Sequence, residues 1–127
     1  MRCLLVIGLF WLGGNAFAAD TFSEDVKRGP YLQVATPTSV IVRWMTASSN
    51  DTKVAYGTTE GALTQNVSNG TGTKDHEITV TGLSPDTKYF YSIGTTTGPL
   101  EYGTTFFFVT PPTTGTYKKS RIGVLGD

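Results

Sequence analysis

Leu83-Ser-Pro-Asp-Thr-Lys-Tyr89 is the stretch of sequence that decides the fold. Pro85 and Asp86 favour a turn, and the alternating residues from Lys88 to Ile93 favour a β-strand that has Tyr89 near its start. A tyrosine at this position can reach back with its hydroxyl and satisfy a backbone group that the turn leaves without a partner. The pattern is typical of the corner at which a chain passes between the two sheets of a β-sandwich.

Short runs with alternating polarity surround this corner, and no segment shows a sustained helical period. In the clearest run, Ser39 to Met45, the residues Val40, Val42 and Trp44 share one face, so Trp44 is predicted to anchor the core. The other predicted strands are Tyr31 to Val34, Lys53 to Tyr56, Leu63 to Val67, Asp75 to Thr81, Lys88 to Ile93 and Thr104 to Val109. The sequence therefore predicts an all-β protein, a sandwich of about seven strands that resembles fibronectin type III and immunoglobulin-like domains.

The N-terminus carries the pattern of a secretory signal peptide. An apolar run from Leu4 to Leu12 is followed by small residues that end in Ala16-Phe-Ala18, which predicts a signal peptide over residues 1–18 and a secreted protein. The run is shorter than the roughly 20 apolar residues of a membrane-spanning helix. Cleavage after Ala18 also removes the single cysteine, Cys3, so the mature chain must rely on its core rather than on a disulfide. Residues 19–27 are polar and are predicted to be a flexible segment.

Charge and surface motifs limit the classes of partner. The chain has 10 basic and 10 acidic residues that do not cluster by sign, which disfavours binding to nucleic acid or to a membrane surface. Three sequons, at Asn50, Asn66 and Asn69, lie in stretches rich in Ser, Thr, Asn and Gly, and each is a candidate glycosylation site if the host glycosylates secreted proteins. Polar loops also produce such motifs by chance.

Residues 19–120 contain few candidates for catalysis. His76 is the only histidine in the chain, and because no carboxylate partner is evident it is predicted to have a structural role at the end of its strand. The many aromatic residues are predicted to fill the core rather than to bind a ligand. Phe107 is the exception, since it faces outward if Phe106 and Phe108 face inward, and it could mark a contact with a neighbouring domain.

A change of pattern near the C-terminus predicts a domain boundary. Pro111-Pro112 ends strand pairing, so the sandwich is assigned to residues 28–112 and a linker to residues 113–120. Residues 121–127 read as the first strand of another domain, and this apolar run closes in Gly126-Asp127. A carboxylate after glycine at the carboxyl end of a buried strand suits a metal ion, so Asp127 is the candidate metal ligand.

The segments that precede Asp127 resemble, in order and spacing, the N-terminal part of a purple acid phosphatase. The resemblance is carried by Arg28-Gly-Pro-Tyr-Leu-Gln33, Val42-Arg-Trp-Met-Thr46, Val54-Ala-Tyr-Gly57, His76-Glu-Ile-Thr-Val-Thr-Gly-Leu83, Pro85-Asp-Thr-Lys-Tyr-Phe-Tyr91, Phe108-Val-Thr-Pro111 and Gly126-Asp127. It implies a fibronectin-like domain followed by a metallophosphoesterase domain with a binuclear centre of iron plus zinc, manganese or iron. Asp127 would match the aspartate of the first metal-ligand motif of that family.

The resemblance further implies that the parent enzyme hydrolyses phosphomonoesters at acidic pH. The later metal-ligand motifs of the family are absent from the sequence, so the chain by itself is expected to be a non-catalytic scaffold whose partners are its own phosphatase domain and, in a homodimer, a second copy. The alternative is a stand-alone secreted module that binds a partner. An open reading frame after Asp127 that carries further metal-ligand motifs would favour the fragment, and a stop codon would favour the module.

Overall fold

The structure is a computed structural model that describes residues 19–119. This part of the chain is all β, without a helix. The strands are β1 (Val26–Gln33), β2 (Ser39–Gly57), β3 (Gln65–Thr81), β4 (Lys88–Thr95), β5 (Gly98–Glu101) and β6 (Phe107–Val109). All pairings are antiparallel. Across residues 19–119 there is no helix of the length and apolarity needed to cross a membrane.

Two long strands, β2 and β3, each contribute to both layers of a sandwich. The first half of β2 pairs with β1 on one side and with the second half of β3 on the other. The second half of β2 pairs with the first half of β3 and with β4, which in turn pairs with β5 and β6. The register of β2 against β3 shifts between Met45 and Thr52, where the chain passes from one layer to the other. Each long strand therefore contains two of the predicted runs, so the seven predicted runs fall on five strands, and β5 is an additional strand.

The core lies between these layers because both halves of β2 turn alternate side chains inward. Val40, Val42 and Trp44 come from the first half, and Val54 and Tyr56 come from the second. The buried cluster is completed by Ile78, Val80, Leu83, Tyr89, Tyr91, Ile93, Phe106 and Phe108. Trp44 is only 2% exposed, so the predicted facing of Ser39 to Met45 is confirmed. The predicted facing of Phe106, Phe107 and Phe108 is confirmed as well, since only the middle residue is exposed.

The N-terminal segment, which the sequence predicts to be flexible, contacts the rest of the sandwich. Strand β1 begins at Val26, and Thr21 forms an isolated bridge with Tyr102. The Asp20 carboxylate accepts a hydrogen bond from the Thr105 amide at 3.2 Å, and the Asp25 carboxylate accepts one from the Ser48 amide at 3.1 Å. The prediction of flexibility came from polar composition. In the structure, the Asp20 and Asp25 carboxylates accept hydrogen bonds from backbone amides on two distant parts of the chain.

The last predicted strand also differs. Strand β5 begins at Gly98, within Gly94 to Pro99, which the sequence predicts as a hairpin-like loop between two strands. Strand β6 covers Phe107–Val109 rather than the whole run from Thr104. Thr104 and Thr105 leave the sheet because both hydroxyls donate to the Asp20 carboxylate. The signal peptide, Asp127 and the predicted strand over residues 121–127 lie outside the described residues.

Candidate functional site

The turn at Pro85 and Asp86 is held by the Tyr89 hydroxyl, which accepts a hydrogen bond from the Ser84 amide at 2.9 Å. Asp86 has a φ of 49°, a left-handed conformation that aspartate tolerates better than most residues. The Thr110 hydroxyl donates to the Ser84 carbonyl at 2.6 Å and accepts from the Thr87 amide at 2.9 Å. The turn, strand β4 and the residue after β6 are thereby joined at one end of the sandwich.

His76 lies in the core rather than at a surface. It is 1% exposed, and its ring stacks on that of Trp44 with the ring centroids 4.7 Å apart. Its Nε2 atom lies 2.8 Å from the Thr46 hydroxyl, and its Nδ1 atom lies 2.8 Å from the Thr52 hydroxyl. Because Thr46 donates its own proton to the Ser48 carbonyl at 2.7 Å, it accepts from His76, which assigns the proton to Nε2. Thr52 then donates to Nδ1.

This environment favours the neutral imidazole. Burial lowers the pKa of His76, and the charges of Asp75, Asp25 and Asp51 only partly oppose that effect. Both ring nitrogens are occupied by threonine hydroxyls, and no described carboxylate binds the ring. The arrangement therefore joins the two halves of β2 to β3 and leaves no ring nitrogen free to act as a general base.

The described residues do not provide a metal centre. Among residues 19–119 there is no group of three or more His, Cys, Asp or Glu side chains placed to hold a metal ion. The candidate ligand Asp127 is not among the described residues. The binuclear centre that the sequence resemblance implies does not fit this part of the chain.

The three sequons differ in their surroundings. The Asn50 side-chain amide donates to the Asp25 carboxylate at 2.9 Å and to the Ser48 carbonyl at 3.4 Å. Asn66 and Asn69 are exposed on β3. Asn66 pairs with Ala55 and is adjacent in sequence to Val67, which packs against the core, so Asn66 points away from the core on the outer side of its layer.

The outer side of the layer formed by β2, β4, β5 and β6 contains a groove of about 700 Å³. Its floor consists of small residues at alternate positions, namely Ala55 on β2 and Ser92 and Gly94 on β4. Leu63 and Tyr102 line it on opposite sides. A side chain at position 94 would meet the Gly98 carbonyl oxygen at 2.5 Å, so glycine is required there for β5 to approach β4. The sequence analysis missed this groove, although the small residues at alternate outward positions could have indicated it.

An aromatic cluster continues the same outer side toward the end of the domain. Phe90 on β4 pairs with Phe107 on β6, and their ring centroids are 6.3 Å apart. The Lys88 ammonium lies 4.6 Å from the Phe90 centroid and 3.9 Å from the Phe107 centroid. Lys88 pairs with Val109, which is 51% exposed, while Phe107 is 45% exposed. We call Lys88, Phe90, Phe107 and Val109 the β6 patch.

A second buried titratable side chain, Glu101, was not noticed from the sequence. It is 5% exposed, and no hydrogen bond to its carboxylate is found among the described residues. Burial raises the pKa of Glu101. Burial, together with the charge of Glu101, raises the pKa of Tyr91 to about 12. For each group, burial shifts the protonation equilibrium toward the neutral form.

Comparison with models of protein families gives one match. Residues 28–110 match the family described as Purple acid Phosphatase, N-terminal domain. The chain belongs to this family. The matched range ends within two residues of the boundary predicted from Pro111-Pro112, and it contains Trp44, His76, Pro85 and Tyr89. No curated protein sequence matches the chain significantly.

Solved structures show the fold of this purple acid phosphatase N-terminal domain. A human fibronectin type III domain, derived from the KIAA0970 protein, is 13% identical, with 81% of this chain and 85% of that chain covered and a TM-score of 0.54. The third fibronectin III domain of the human KIAA0343 protein is 15% identical, with 84% and 100% covered and a TM-score of 0.45. The match to the KIAA0970 domain confirms the predicted fibronectin type III-like sandwich.

Proposed function

We propose that this chain is the N-terminal portion of a secreted purple acid phosphatase, a metal-dependent enzyme that hydrolyses phosphomonoesters. The single observation that carries the proposal is the family match over residues 28–110, which is followed in the sequence by an apolar run ending in Gly126-Asp127. In this proposal the sandwich is a non-catalytic scaffold, and the reaction belongs to a metallophosphoesterase domain that begins near Arg121.

The interior of the described domain supports a scaffold role. Its one histidine stacks on Trp44 and has a hydrogen-bond partner at each ring nitrogen. Its buried carboxylate, Glu101, belongs to no cluster of metal-ligating side chains among the described residues. A binuclear site needs several ligands from different strands with the two metals about 3.5–4 Å apart. We propose that Asp127 supplies one ligand to a centre of iron plus zinc, manganese or iron, and that later residues of the parent supply the others.

Secretion and glycosylation belong to the same proposal. The signal-peptide pattern over residues 1–18 supports export, and the loss of Cys3 with that segment leaves a domain that needs no disulfide. We propose that Asn66 and Asn69 are the sequons available to a glycosylating host, because Asn50 already uses its side-chain amide to hold Asp25.

The test uses the protein encoded by the reading frame extended beyond Asp127. Asp127→Asn should lower para-nitrophenyl phosphate hydrolysis at acidic pH by about 100-fold or more and should reduce the bound metal measured by elemental analysis. Asp75→Asn is the matched control, because it also neutralises an aspartate but lies at an exposed position on β3. Equal activity and equal metal content in the two variants would refute the role of Asp127.

A further inference from the structure

The β6 patch is an exposed apolar surface at one corner of the domain. Phe107 and Val109 lie side by side along the outer side of β6, and Phe90 extends the surface onto β4. The Lys88 ammonium lies over one face of the Phe107 ring, yet Phe107 and Val109 remain 45% and 51% exposed. Contiguous apolar residues of this kind on a soluble domain mark a surface that a partner covers.

The chain leaves the sandwich at the same corner. The Pro111 carbonyl accepts a hydrogen bond from the Asp86 amide at 3.1 Å, and further along the linker Lys118 forms an ion pair with the Asp86 carboxylate. Asp86 lies two residues before Lys88, the residue that pairs with Val109. Residue 118 is therefore held beside the β6 patch.

We propose that the β6 patch is the surface on which the phosphoesterase domain of the same chain docks. This inference rests on the proposed function, because it takes that domain as the occupant. A domain tethered beside the patch has a high effective concentration there, so a modest apolar contact is enough to fix it. The ion pair of Lys118 with Asp86 shortens the free part of the linker and strengthens this effect.

On the outer side of the layer that contains β4 and β6, the distribution of polar and apolar residues agrees with docking of the phosphoesterase domain. The strand order across the layer is β3, β2, β4 and β6, so the β6 patch lies at the edge opposite β3. The β3 edge carries Asn66 and Ser68, and a glycan on Asn66 would keep that edge in solvent. A second copy fits less well, because a symmetric contact would bring two Lys88 ammonium groups together without an acidic residue in the patch.

The test measures thiol accessibility in the extended protein. Val109→Cys introduces a thiol into the patch, and Val34→Cys introduces one at a valine that is 70% exposed and lies after β1, in the other layer. The mature segment has no cysteine of its own, so it adds no background, and any labelling from later residues is subtracted with the parent protein. In the extended protein the docking proposal predicts that Val109→Cys reacts with a maleimide about tenfold more slowly than Val34→Cys, whereas in residues 19–127 alone the two react at similar rates.

The outcomes separate this proposal from the proposed function. Phosphatase activity with equal labelling of the two thiols in the extended protein overturns docking and leaves the function standing. Protection of Val109→Cys without phosphatase activity supports docking and removes the function. Protection that appears in residues 19–127 alone and grows with protein concentration makes a second copy the occupant, which overturns the proposal.

Discussion

The imidazole ring of His76 lies almost parallel to the indole ring of Trp44, with the ring planes inclined by 6° and the centroids 4.7 Å apart. Trp44 comes from the first half of β2 and His76 from the second half of β3, and the two residues are register partners. The Thr46 and Thr52 hydroxyls form hydrogen bonds with the two ring nitrogens of His76. These three residues form a polar cluster at the point where β2 passes between the layers. Because Thr52 belongs to the second half of β2, its hydrogen bond links the stacked pair to the other layer.

Replacing Trp44 tests how much the core depends on this pair. We expect Trp44→Ala to lower the free energy of unfolding by about 3–5 kcal/mol, since it removes a buried ring and leaves a cavity. Trp44→Phe is the matched variant. It keeps a stacking ring and removes the indole N–H, which is buried without a hydrogen-bond partner among the described residues, so its loss should be smaller. Urea unfolding of the three proteins checks this order, and an unchanged stability in Trp44→Ala would contradict the role of the indole.

His76 should remain neutral below the pH at which an ordinary histidine becomes charged. Its folded pKa is lowered, mainly by burial, while the unfolded chain titrates near the usual value of about 6.5. As the pH falls below that value the unfolded state gains a proton that the folded state does not, so stability decreases. A nitrogen-15 NMR titration should show a ring protonated at Nε2 that stays neutral to a lower pH than an ordinary histidine does. A ring that titrates near 6.5 in the folded protein would show that the site is open to solvent.

The Tyr89 hydroxyl should contribute to stability through the Ser84 amide. Tyr89→Phe keeps the ring beside Phe108 but leaves that amide without its partner, so we expect a loss of about 1 kcal/mol in the free energy of unfolding. Tyr56→Phe serves as the control because no hydrogen bond of the Tyr56 hydroxyl is found among the described residues. Thermal unfolding should separate the two variants, and equal losses would mean that the Ser84 contact adds nothing.

The buried carboxylate of Glu101 should destabilise the domain at neutral pH. Burial raises the pKa of Glu101 in the folded state above its value of about 4.5 in the unfolded chain. Between these two pKa values the folded state binds more protons than the unfolded state, so stability rises as the pH falls through this range. Glu101→Gln imitates the protonated form and should therefore be more stable than the parent at pH 7, with a gap that narrows toward pH 4.5. Glu60→Gln, at an exposed position, should leave stability unchanged. A Glu101→Gln variant that is less stable than the parent at pH 7 would indicate a favourable partner for the charge.

The sequence predicts the layers of this fold better than the limits of its strands. Alternation between Ser39 and Met45 is enough to give the facing of Trp44, because one side of the strand must be apolar. The same reasoning treats residues 47–52 as a loop, since they are polar. In the structure they stay extended because Asp25 binds the Ser48 amide and the Asn50 side chain, and such long-range polar contacts leave no periodic pattern.

The surface features were less predictable. Phe107 was expected to face outward because its neighbours face inward, and this is confirmed. The position of Lys88 over the Phe90 and Phe107 rings depends on the pairing of β4 with β6, which alternation does not specify. The burial of Glu101 depends on where β5 begins, and this strand lies where the sequence predicted a loop. The groove combines residues from β2, β4, β5 and three connecting segments, so it forms only once the strands are paired.

Hydrolysis of para-nitrophenyl phosphate at acidic pH tests the central claim most directly. Residues 19–127 and the protein from the extended reading frame would be purified in parallel, supplied with iron and zinc, and assayed at equal concentration. We predict activity in the extended protein and none above background in residues 19–127, because the sandwich is a scaffold and the metal ligands lie mostly beyond it. Activity in residues 19–127 alone, or in neither protein, would contradict this account.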